Sequence, residues 1–515
     1  MNIYLLIVII LFILAVSDLI VGISNDAANF VNSAVGSKVA PLKVILSVAG
    51  LGVLVGATFS SRMMEIARSG IFYPGQFVFS EVMIIFLAVM ITDVILLDTF
   101  NTFGFPTSTT VSIVFELLGA SVGIALVKIS GYDGSITELS NYINSAKALA
   151  IISGILISVV LAFTFGSIVM FITRLIFSFN YEKYMRYFGA LWGGIAITAI
   201  VYFMLVKGAR GASFMTAGAV DWLHAHTWQL LLSSFFIVTA ILQILIIVFK
   251  INILKIIVLA GTFSLAMAFA GNDLINFIGV PLAGFESFRA FANDPSFNPD
   301  TSLMTSLAEP VKTPTLFLLT AGIIMVITLF TSKKARTVSQ TEITLARQDE
   351  GNERFSSSFL SRSLVRGSIN FSRTFGRLLP PKLILFIEKR FDYSTVKKKS
   401  KSIKENSSFD SLRASVNMFV ASFLIATGTS LKLPLSTTYV TFMVAMGTSL
   451  SDRAWGRESA VYRITGVLSV ITGWFITAVV AFTASLLFAL FLNWGGLIAI
   501  LISLGAAVFF IIRSN

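Results

Sequence analysis

Two short polar motifs interrupt a strongly apolar sequence, and each of them occurs twice. Residues 24–30 read SNDAANF and return at residues 271–277 as GNDLINF. Residues 106–110 read PTSTT and return at residues 434–438 as PLSTT. A chain that duplicates its polar residues and keeps almost everything between them apolar is constrained to fold as a membrane protein with two related parts.

Composition supports a membrane protein. Hydrophobic residues make up 56% of the chain and charged residues only 12%, with a mean hydropathy of +0.87, which is unlike a soluble domain. A membrane-spanning helix needs about 20 apolar residues. Stretches of that kind recur along the whole chain, so we predict an all-α polytopic membrane protein with roughly a dozen transmembrane helices or half-helices. The first stretch has no preceding Lys or Arg and no cleavage site, which favours a retained helix over a signal peptide.

Positive charge is concentrated in one hydrophilic segment. The net charge is +12, and residues 333–413 hold 18 Lys and Arg against 8 Asp and Glu. Basic segments beside a membrane are attracted to anionic lipids and usually remain in the cytoplasm. We therefore predict a large basic cytoplasmic loop. It lacks the aromatic interleaving of a nucleic-acid surface. The absence of cysteine excludes disulfides and thiolate chemistry.

The spacing of the motifs indicates an internal duplication with one insertion. Asp26 and Ser108 are 82 residues apart, whereas Asp273 and Ser436 are 163 apart, and the difference is close to the length of the basic loop. Residues from about 145 to 250 show no counterpart. We expect these parts: a first repeat (1–130), central transmembrane helices (131–251), a second repeat in two pieces (252–332 and 412–515), and the loop between those pieces (333–411).

The Ser-Thr-Thr motifs have the properties of helix N-termini. Proline cannot continue a preceding helix but suits a first helical turn. The hydroxyls that follow it, together with unpaired backbone N–H groups, attract an anion. We expect these hydroxyls at Ser108, Thr109 and Thr110, and at Ser436, Thr437 and Thr438.

The Asn-Asp motifs supply the opposite chemistry. Asp26 and Asn29 are three residues apart, as are Asp273 and Asn276, so each pair shares one face of a helix. Carboxylate and amide oxygens bind hard cations or carry protons, and an isolated carboxylate in lipid would be costly.

Two carboxylates beside two anion-attracting helix ends repel the anion unless a cation or proton lies among them. Each ligand would then favour binding of the other, because linkage is reciprocal. The residues thus indicate a cation-coupled anion transporter. Duplicated sites near the midplane are typical of secondary transporters.

The four motif copies resemble those of the inorganic phosphate transporter family, which carries duplicated Gly-x-Asn-Asp-x-x-Asn and Pro-x-Ser-Thr-Thr motifs in two inverted repeats. The resemblance covers residues 10–130 and 255–480. It implies symport of phosphate with Na⁺ or H⁺, Na⁺ being favoured. It also implies that Asn25 and Asn272 help the six hydroxyl residues to bind phosphate, and that Asp26, Asn29, Asp273 and Asn276 hold the coupling cation.

The sequence departs from the family pattern after each Ser-Thr-Thr motif. Val111 and Tyr439 stand where family members often have His, and Ser24, Asn32 and Ile275 replace smaller residues. The identity of the cation therefore stays open between Na⁺ and H⁺. The expected partners are phosphate, the cation and the lipid bilayer, with no cofactor and no nucleic acid, and a homodimer is an open option.

Other functions remain as alternatives. A sulfate or other oxyanion permease of the same fold is the nearest, followed by an anion channel and by an intramembrane phosphatase. The chain has no P-loop, so we predict a transporter and no enzyme. We expect it as a multi-pass protein of the plasma or inner membrane.

Overall fold

The structure is a computed structural model that describes residues 3–514 apart from 63, 104–106, 203–214, 295, 310–312, 347–357, 360, 364, 368–369, 371–379, 393–406, 432 and 453–456. The described residues contain no β-sheet, only the isolated bridges between Phe72 and Ile143 and between Val78 and Leu303. This confirms the predicted all-α polytopic fold.

The helices are labelled here in chain order. They are α1 (Ile3–Gly36), α2 (Leu42–Ala57), α3 (Glu65–Ser69), α4 (Phe79–Phe103), α5 (Thr109–Ser130), α6 (Ser145–Phe177), α7 (Tyr181–Val201), α8 (Ala217–Ala225), α9 (Thr227–Ile247), α10 (Ile253–Asn293), α11 (Thr315–Thr331), α12 (Lys334–Ala346), α13 (Pro381–Arg390), α14 (Ser411–Ser430), α15 (Thr437–Ser451) and α16 (Arg457–Ser514). Gly496 has a φ of 51° and breaks α16 into two helical parts.

Nine helices of the described residues are long and apolar enough to cross a membrane, and α2 and α11 are shorter apolar helices of 16 and 17 residues. The longest continuous ones, α1 and α10, contain 34 and 41 residues. At 1.5 Å per residue they are about 50 and 60 Å long, more than the roughly 30 Å of a bilayer core. Both Asn-Asp motifs lie inside these helices.

Side-chain caps set where several helices begin. An oxygen of the preceding residue accepts a hydrogen bond from a backbone N–H in the first turn of α5, α6, α10, α14 and α15; the caps are Ser108, Asn144, Asn252, Asp410 and Ser436. Such caps satisfy N–H groups that have no partner within the helix. Both Ser-Thr-Thr motifs are therefore helix N-termini, as their sequence indicates.

Two glycines with equivalent places in the two repeats bring helices into backbone contact. A Cβ atom on Gly119 of α5 would lie 2.1 Å from the carbonyl oxygen of Phe482 in α16, and one on Gly447 of α15 would lie 2.3 Å from that of Phe163 in α6. These contacts require glycine. Thus α6 and α16 occupy equivalent positions beside the two Ser-Thr-Thr helices, although their sequences show no visible repeat.

The basic segment begins as a packed helix. In α12, the side chain of Val338 is fully buried. The carbonyl oxygen of Ala346, at the end of this helix, accepts a hydrogen bond of 2.6 Å from Arg413 of α14. Phe391, just after α13, stacks on Phe171 of α6 with 5.3 Å between ring centroids. Residues 347–357 and 393–406 of the predicted loop lie outside the described residues.

Candidate functional site

The four motif copies meet in one buried cluster. The Asn-Asp motifs lie within α1 and α10, and the Ser-Thr-Thr motifs open α5 and α15. The breaks between α4 and α5 and between α14 and α15 expose helix N-termini to the cluster. Pro434 lies in the second break, and its predicted counterpart Pro106 lies outside the described residues. All twelve predicted site residues are buried, with 5% exposure at most: Asn25, Asp26, Asn29, Ser108, Thr109, Thr110, Asn272, Asp273, Asn276, Ser436, Thr437 and Thr438.

The two serines cap their helices through the side-chain oxygen. Ser108 Oγ accepts a hydrogen bond from the N–H of Val111, and Ser436 Oγ accepts one from the N–H of Tyr439, both at 3.1 Å. A hydroxyl can accept and donate at once. Each serine therefore keeps its hydroxyl proton for a ligand, beside the first N–H groups of the helix.

The carboxylate of Asp26 accepts hydrogen bonds from three side chains. Thr109 donates to Oδ2 at 2.8 Å, and Asn25 and Thr438 donate to Oδ1 at 2.9 and 3.2 Å. Thr109 belongs to the first Ser-Thr-Thr motif and Thr438 to the second. The carboxylate is thus held between the two helix N-termini.

The carboxylate of Asp273 has the same arrangement with the two motifs exchanged. Thr437 donates to Oδ2 at 2.5 Å, and Thr110 and Asn272 donate to Oδ1 at 2.9 and 3.0 Å. Asn276 adds a hydrogen bond of 3.2 Å to Oδ1. Each aspartate therefore receives one threonine hydroxyl from its own repeat and one from the other.

The second asparagine of each motif also reaches across to the other repeat. Asn29 donates from Nδ2 to Thr437 and Thr438 at 3.2 and 3.0 Å. Asn276 donates from Nδ2 to Thr109 and to Thr110, both at 3.1 Å. Apart from the bond between Asn276 and Asp273, these contacts of the Asn-Asp motifs with the threonines are the same when the repeats are exchanged, which is the pattern expected of a site on a pseudo-two-fold axis.

The first asparagine of each motif holds the helix break in place. Asn25 donates to the carbonyl oxygen of Thr107, and Asn272 to that of Leu435, both at 2.8 Å. These carbonyls lie just before the two capping serines. The role assigned to Asn25 and Asn272 by resemblance was phosphate binding; in this structure their amide groups hydrogen bond to protein atoms.

Two further threonines, which the motifs alone do not reveal, contact the cluster. Thr429 Oγ1 donates to Asn272 Oδ1 at 3.2 Å, and Thr441 Oγ1 donates to Asn29 Oδ1 at 3.4 Å. Thr441 is four residues after Thr437 and so shares its helix face, a signal that the sequence does contain. Thr429 precedes the break and carries no such signal.

Electrostatically the cluster is acidic and lacks cationic side chains. None of the ion pairs between described side chains includes Asp26 or Asp273. The described residues also contain no group of three His, Cys, Asp or Glu residues that could hold a metal ion. The available donors are instead a mixture of carboxylate, amide, hydroxyl and carbonyl oxygens, which are hard ligands. Two buried carboxylates without a positive partner favour a bound cation or proton.

Comparison with known proteins agrees with this arrangement. The sequence profile of the phosphate transporter family matches residues 23–348, which include three of the four motif copies. The chain belongs to this family. The resemblance stated from the motifs is thereby confirmed, and the family consists of transporters rather than enzymes.

Two individual proteins are similar to this family member. A protein of Thermococcus kodakarensis with the provisional name phosphate permease is 28% identical over 196 residues, covering 38% of this chain and 45% of the relative. The chain thus matches less than half the length of that relative. A solved structure titled "The sodium-dependent phosphate transporter" superposes with a TM-score of 0.63 at 17% identity, covering 95% of this chain and 99% of that one. At this identity the likeness establishes the fold, that of a multi-pass membrane protein.

Proposed function

We propose that this member of the phosphate transporter family imports inorganic phosphate by symport with a cation, Na⁺ in preference to H⁺. The observation that carries the proposal is the exchange of hydrogen bonds between the repeats, which places Asp26 and Asp273 beside both helix N-termini. The neighbouring structure is that of a sodium-dependent phosphate transporter by its title, which supports Na⁺.

Phosphate would bind at the helix N-termini of α5 and α15. Ser108 and Ser436 each have a hydroxyl proton available, and the first N–H groups of both helices point out of the helix. Thr109, Thr110, Thr437 and Thr438 now donate to the aspartates, so their hydroxyls reach phosphate only if they turn from the carboxylates. Asn25 and Asn272 would support this site through the backbone that they hold.

The cation would bind to the aspartates. Asp26 with Asn29, and Asp273 with Asn276, offer carboxylate and amide oxygens. The Nδ2 group of each asparagine donates to threonine oxygens of the opposite repeat, which brings those oxygens close to the aspartates. When Na⁺ binds a carboxylate, the threonine that hydrogen bonds to it is released. That hydroxyl can then turn towards phosphate, which gives the coupling a structural cause.

Coupling also follows from charge. A phosphate ion beside two buried carboxylates is repelled, and the repulsion is strong where water is scarce. Cations at the aspartates remove this repulsion, and phosphate in turn increases cation affinity by the same factor. Neither ligand alone occupies the site well, which limits uncoupled leakage.

Transport would proceed by alternating access around this cluster. The first repeat (1–130) and the second (252–332 with 412–515) would move relative to each other while the site remains near the midplane. We place the basic loop (333–411) in the cytoplasm and the protein in the plasma or inner membrane. The gradient then favours loading outside and release inside.

Uptake of radiolabelled phosphate into proteoliposomes tests the proposal. The protein is reconstituted, and a Na⁺ gradient or an H⁺ gradient is imposed separately, with sulfate as competitor. We expect concentrative uptake with the Na⁺ gradient that sulfate does not inhibit. Uptake driven by the H⁺ gradient alone would identify H⁺ as the coupling cation. Inhibition by sulfate would favour a permease for sulfate or other oxyanions. Passive flux without accumulation would favour a channel.

A further inference from the structure

A cavity of about 610 Å³ lies next to the candidate site, between α1, α4, α11 and the start of α12. Liquid water occupies about 30 Å³ per molecule, so the cavity has room for a hydrated ion. Its lining includes hydroxyl, amide and charged groups: Ser24, Asp98, Asn101, Ser332, Lys333 and Lys334.

The cavity directly adjoins the site. Ser24 precedes Asn25 in α1, and its hydroxyl is 2.7 Å from that of Ser332, at the junction of α11 and α12. Asn101 lies in the last turn of α4, just before the break that leads to Ser108. An ion that leaves the site on this side passes these residues.

The cavity lies at the end of the molecule that carries the basic loop. Its wall includes Lys333 and Lys334, the first charges of that segment. Gly36, at the end of α1, accepts a hydrogen bond of 2.8 Å from the N–H of Ser408, at the far end of the segment. Both ends of the loop therefore lie on this side.

Two lysines and one aspartate give the cavity a net positive charge. Lys334 forms an ion pair of 2.8 Å with Asp98, whose side chain is 4% exposed. Lys333 forms no ion pair with any described residue. The cavity thus contrasts with the acidic cluster beside it and attracts anions.

Asn101 supplies an unsatisfied acceptor. Its side chain is 2% exposed, and Nδ2 donates to the carbonyl oxygen of Val21 at 2.8 Å. This bond fixes the amide orientation, and Oδ1 has no hydrogen-bond partner among the described residues. A buried acceptor without a donor costs about 1–3 kcal/mol, so a ligand with an O–H group, or a water, stabilises it.

We propose that this cavity is a second binding site for the transported oxyanion, occupied on the loop side of the core site and selective for a protonated form. Lys333 and Lys334 balance its charge, and Asn101 accepts a hydrogen bond from the P–OH group of hydrogen phosphate. Ser24 donates to the carbonyl oxygen of Ile20, so the hydroxyl of Ser332, which pairs with Ser24, is the one that turns to donate to the anion. Sulfate at neutral pH has no such proton. The inference rests on the proposed function and adds an intermediate binding site on the release pathway.

Asp98 would set the strength of this site. By neutralising Lys334 it keeps the net charge low, so that the anion is attracted but still released. Removing a lysine and removing the aspartate should then have opposite effects on anion affinity. A purely structural role of the Asp98–Lys334 pair predicts a loss of function in Asp98→Asn and no change in Lys333→Gln.

The test compares the half-saturating phosphate concentration on the two faces of the membrane. The chain has no cysteine, so the substitution Glu388→Cys introduces a single thiol, on α13. All variants are made in this background. Vesicles in which the loop faces outwards expose the thiol and are captured on a thiol-reactive resin. Inorganic phosphate is the probe. Lys333→Gln should raise the half-saturating concentration on the loop side about five-fold, the scale of one exposed charge at contact distance, and leave the opposite face unchanged.

Asp98→Asn should lower the half-saturating phosphate concentration on the loop side. Lys43→Gln is the matched control for Lys333→Gln. Lys43 is an exposed lysine at the start of α2, near the loop side but outside the cavity lining. Unchanged loop-side constants in Lys333→Gln, or equal changes on both faces, would overturn the second site while phosphate uptake by the parent persists. If the parent does not transport phosphate at all, the proposed function fails and this inference fails with it. Because Lys333 is exposed, its variant stays informative if Asp98→Asn does not fold.

Discussion

Thr438 donates a hydrogen bond of 3.2 Å to Asp26, although the two residues are 412 positions apart in the chain. The matching contact, from Thr110 to Asp273, measures 2.9 Å and links residues 163 positions apart. Each carboxylate is therefore completed by a hydroxyl of the other repeat. A relative movement of the repeats must break or exchange these contacts, which would link the proposed ion site to the proposed alternating access.

The amide variants Asp26→Asn and Asp273→Asn test the aspartates as cation ligands. The substitution preserves shape but removes the charge that a cation requires in a buried site. We expect gradient-driven phosphate uptake to fall about a hundred-fold or more in either variant, because charge interactions at short range in such sites are worth a few kcal/mol. Because the network is the same for both aspartates, the two variants should behave alike.

Size-exclusion chromatography of the purified variants provides the control for folding. Both should remain monodisperse, since Asn can accept one threonine hydrogen bond through its carbonyl oxygen and donate from its NH₂ group to the oxygen of the other threonine. Full uptake by either variant would contradict the assignment of that aspartate to coupling.

Thr438→Val removes a hydroxyl of the second repeat that contacts the first repeat, where it accepts a hydrogen bond from Asn29 and donates one to Asp26. Valine has nearly the same shape, and the buried donor and acceptor left behind cost about 1–3 kcal/mol. We expect a lower melting temperature and a half-saturating Na⁺ concentration raised about ten-fold, the equivalent of about 1.4 kcal/mol. Thr320→Val is the matched control, because Thr320 is exposed and its hydroxyl bonds only to its own helix. Normal Na⁺ dependence in Thr438→Val would exclude its hydroxyl from the cation site.

Ser436→Ala removes both a helix cap and a candidate phosphate ligand. Loss of the cap costs about 1 kcal/mol, and loss of the free hydroxyl should raise the half-saturating phosphate concentration. Ser436→Thr separates these effects from nonspecific damage, because it retains a hydroxyl that caps the helix. We expect near-normal phosphate dependence in the Thr variant and weakened binding in the Ala variant. Equal phosphate dependence in Ser436→Ala and the parent would place phosphate elsewhere.

The residues that the sequence selects lie together in the structure because the motifs have strong local chemistry. Proline followed by hydroxyl residues predicts a helix N-terminus, and Ser436 caps α15 as expected. The Asp26 and Asn29 spacing predicts one helix face, and both lie in α1. The roles of these side chains in binding stay predictions.

The relations between distant elements could not be read from the sequence. No pattern links Gly119 to Phe482 or Gly447 to Phe163, because backbone contacts between helices depend on shape rather than on residue type. The exchange of threonines between repeats is likewise a consequence of tertiary packing. The cavity beside Asn101 combines residues from four helices, each of which is unremarkable within its own segment.

Arg174 joins α6 to α14 and α15 near the base of the loop. It donates to Asp410, the cap of α14, at 2.7 Å, and to Asp452, just after α15, at 2.5 and 2.9 Å. All three side chains are nearly or fully buried, with exposures of 0%, 8% and 0%. Removing one partner of a buried ion pair leaves an uncompensated charge.

Arg174→Gln should therefore destabilise the protein by about 3–5 kcal/mol. Thermal unfolding in detergent measures the effect, with Lys128→Gln as the matched control. Lys128 pairs with Glu81 at 2.9 Å, but their side chains are 26% and 19% exposed, and a pair in contact with water contributes only about 0–1 kcal/mol. A melting temperature of Arg174→Gln equal to that of Lys128→Gln would show that the buried pairs do not hold α6 to α14 and α15. A large difference would establish this network as the fixed end of α14 and α15, whose other ends, at Thr429 and Ser436, lie at the candidate site.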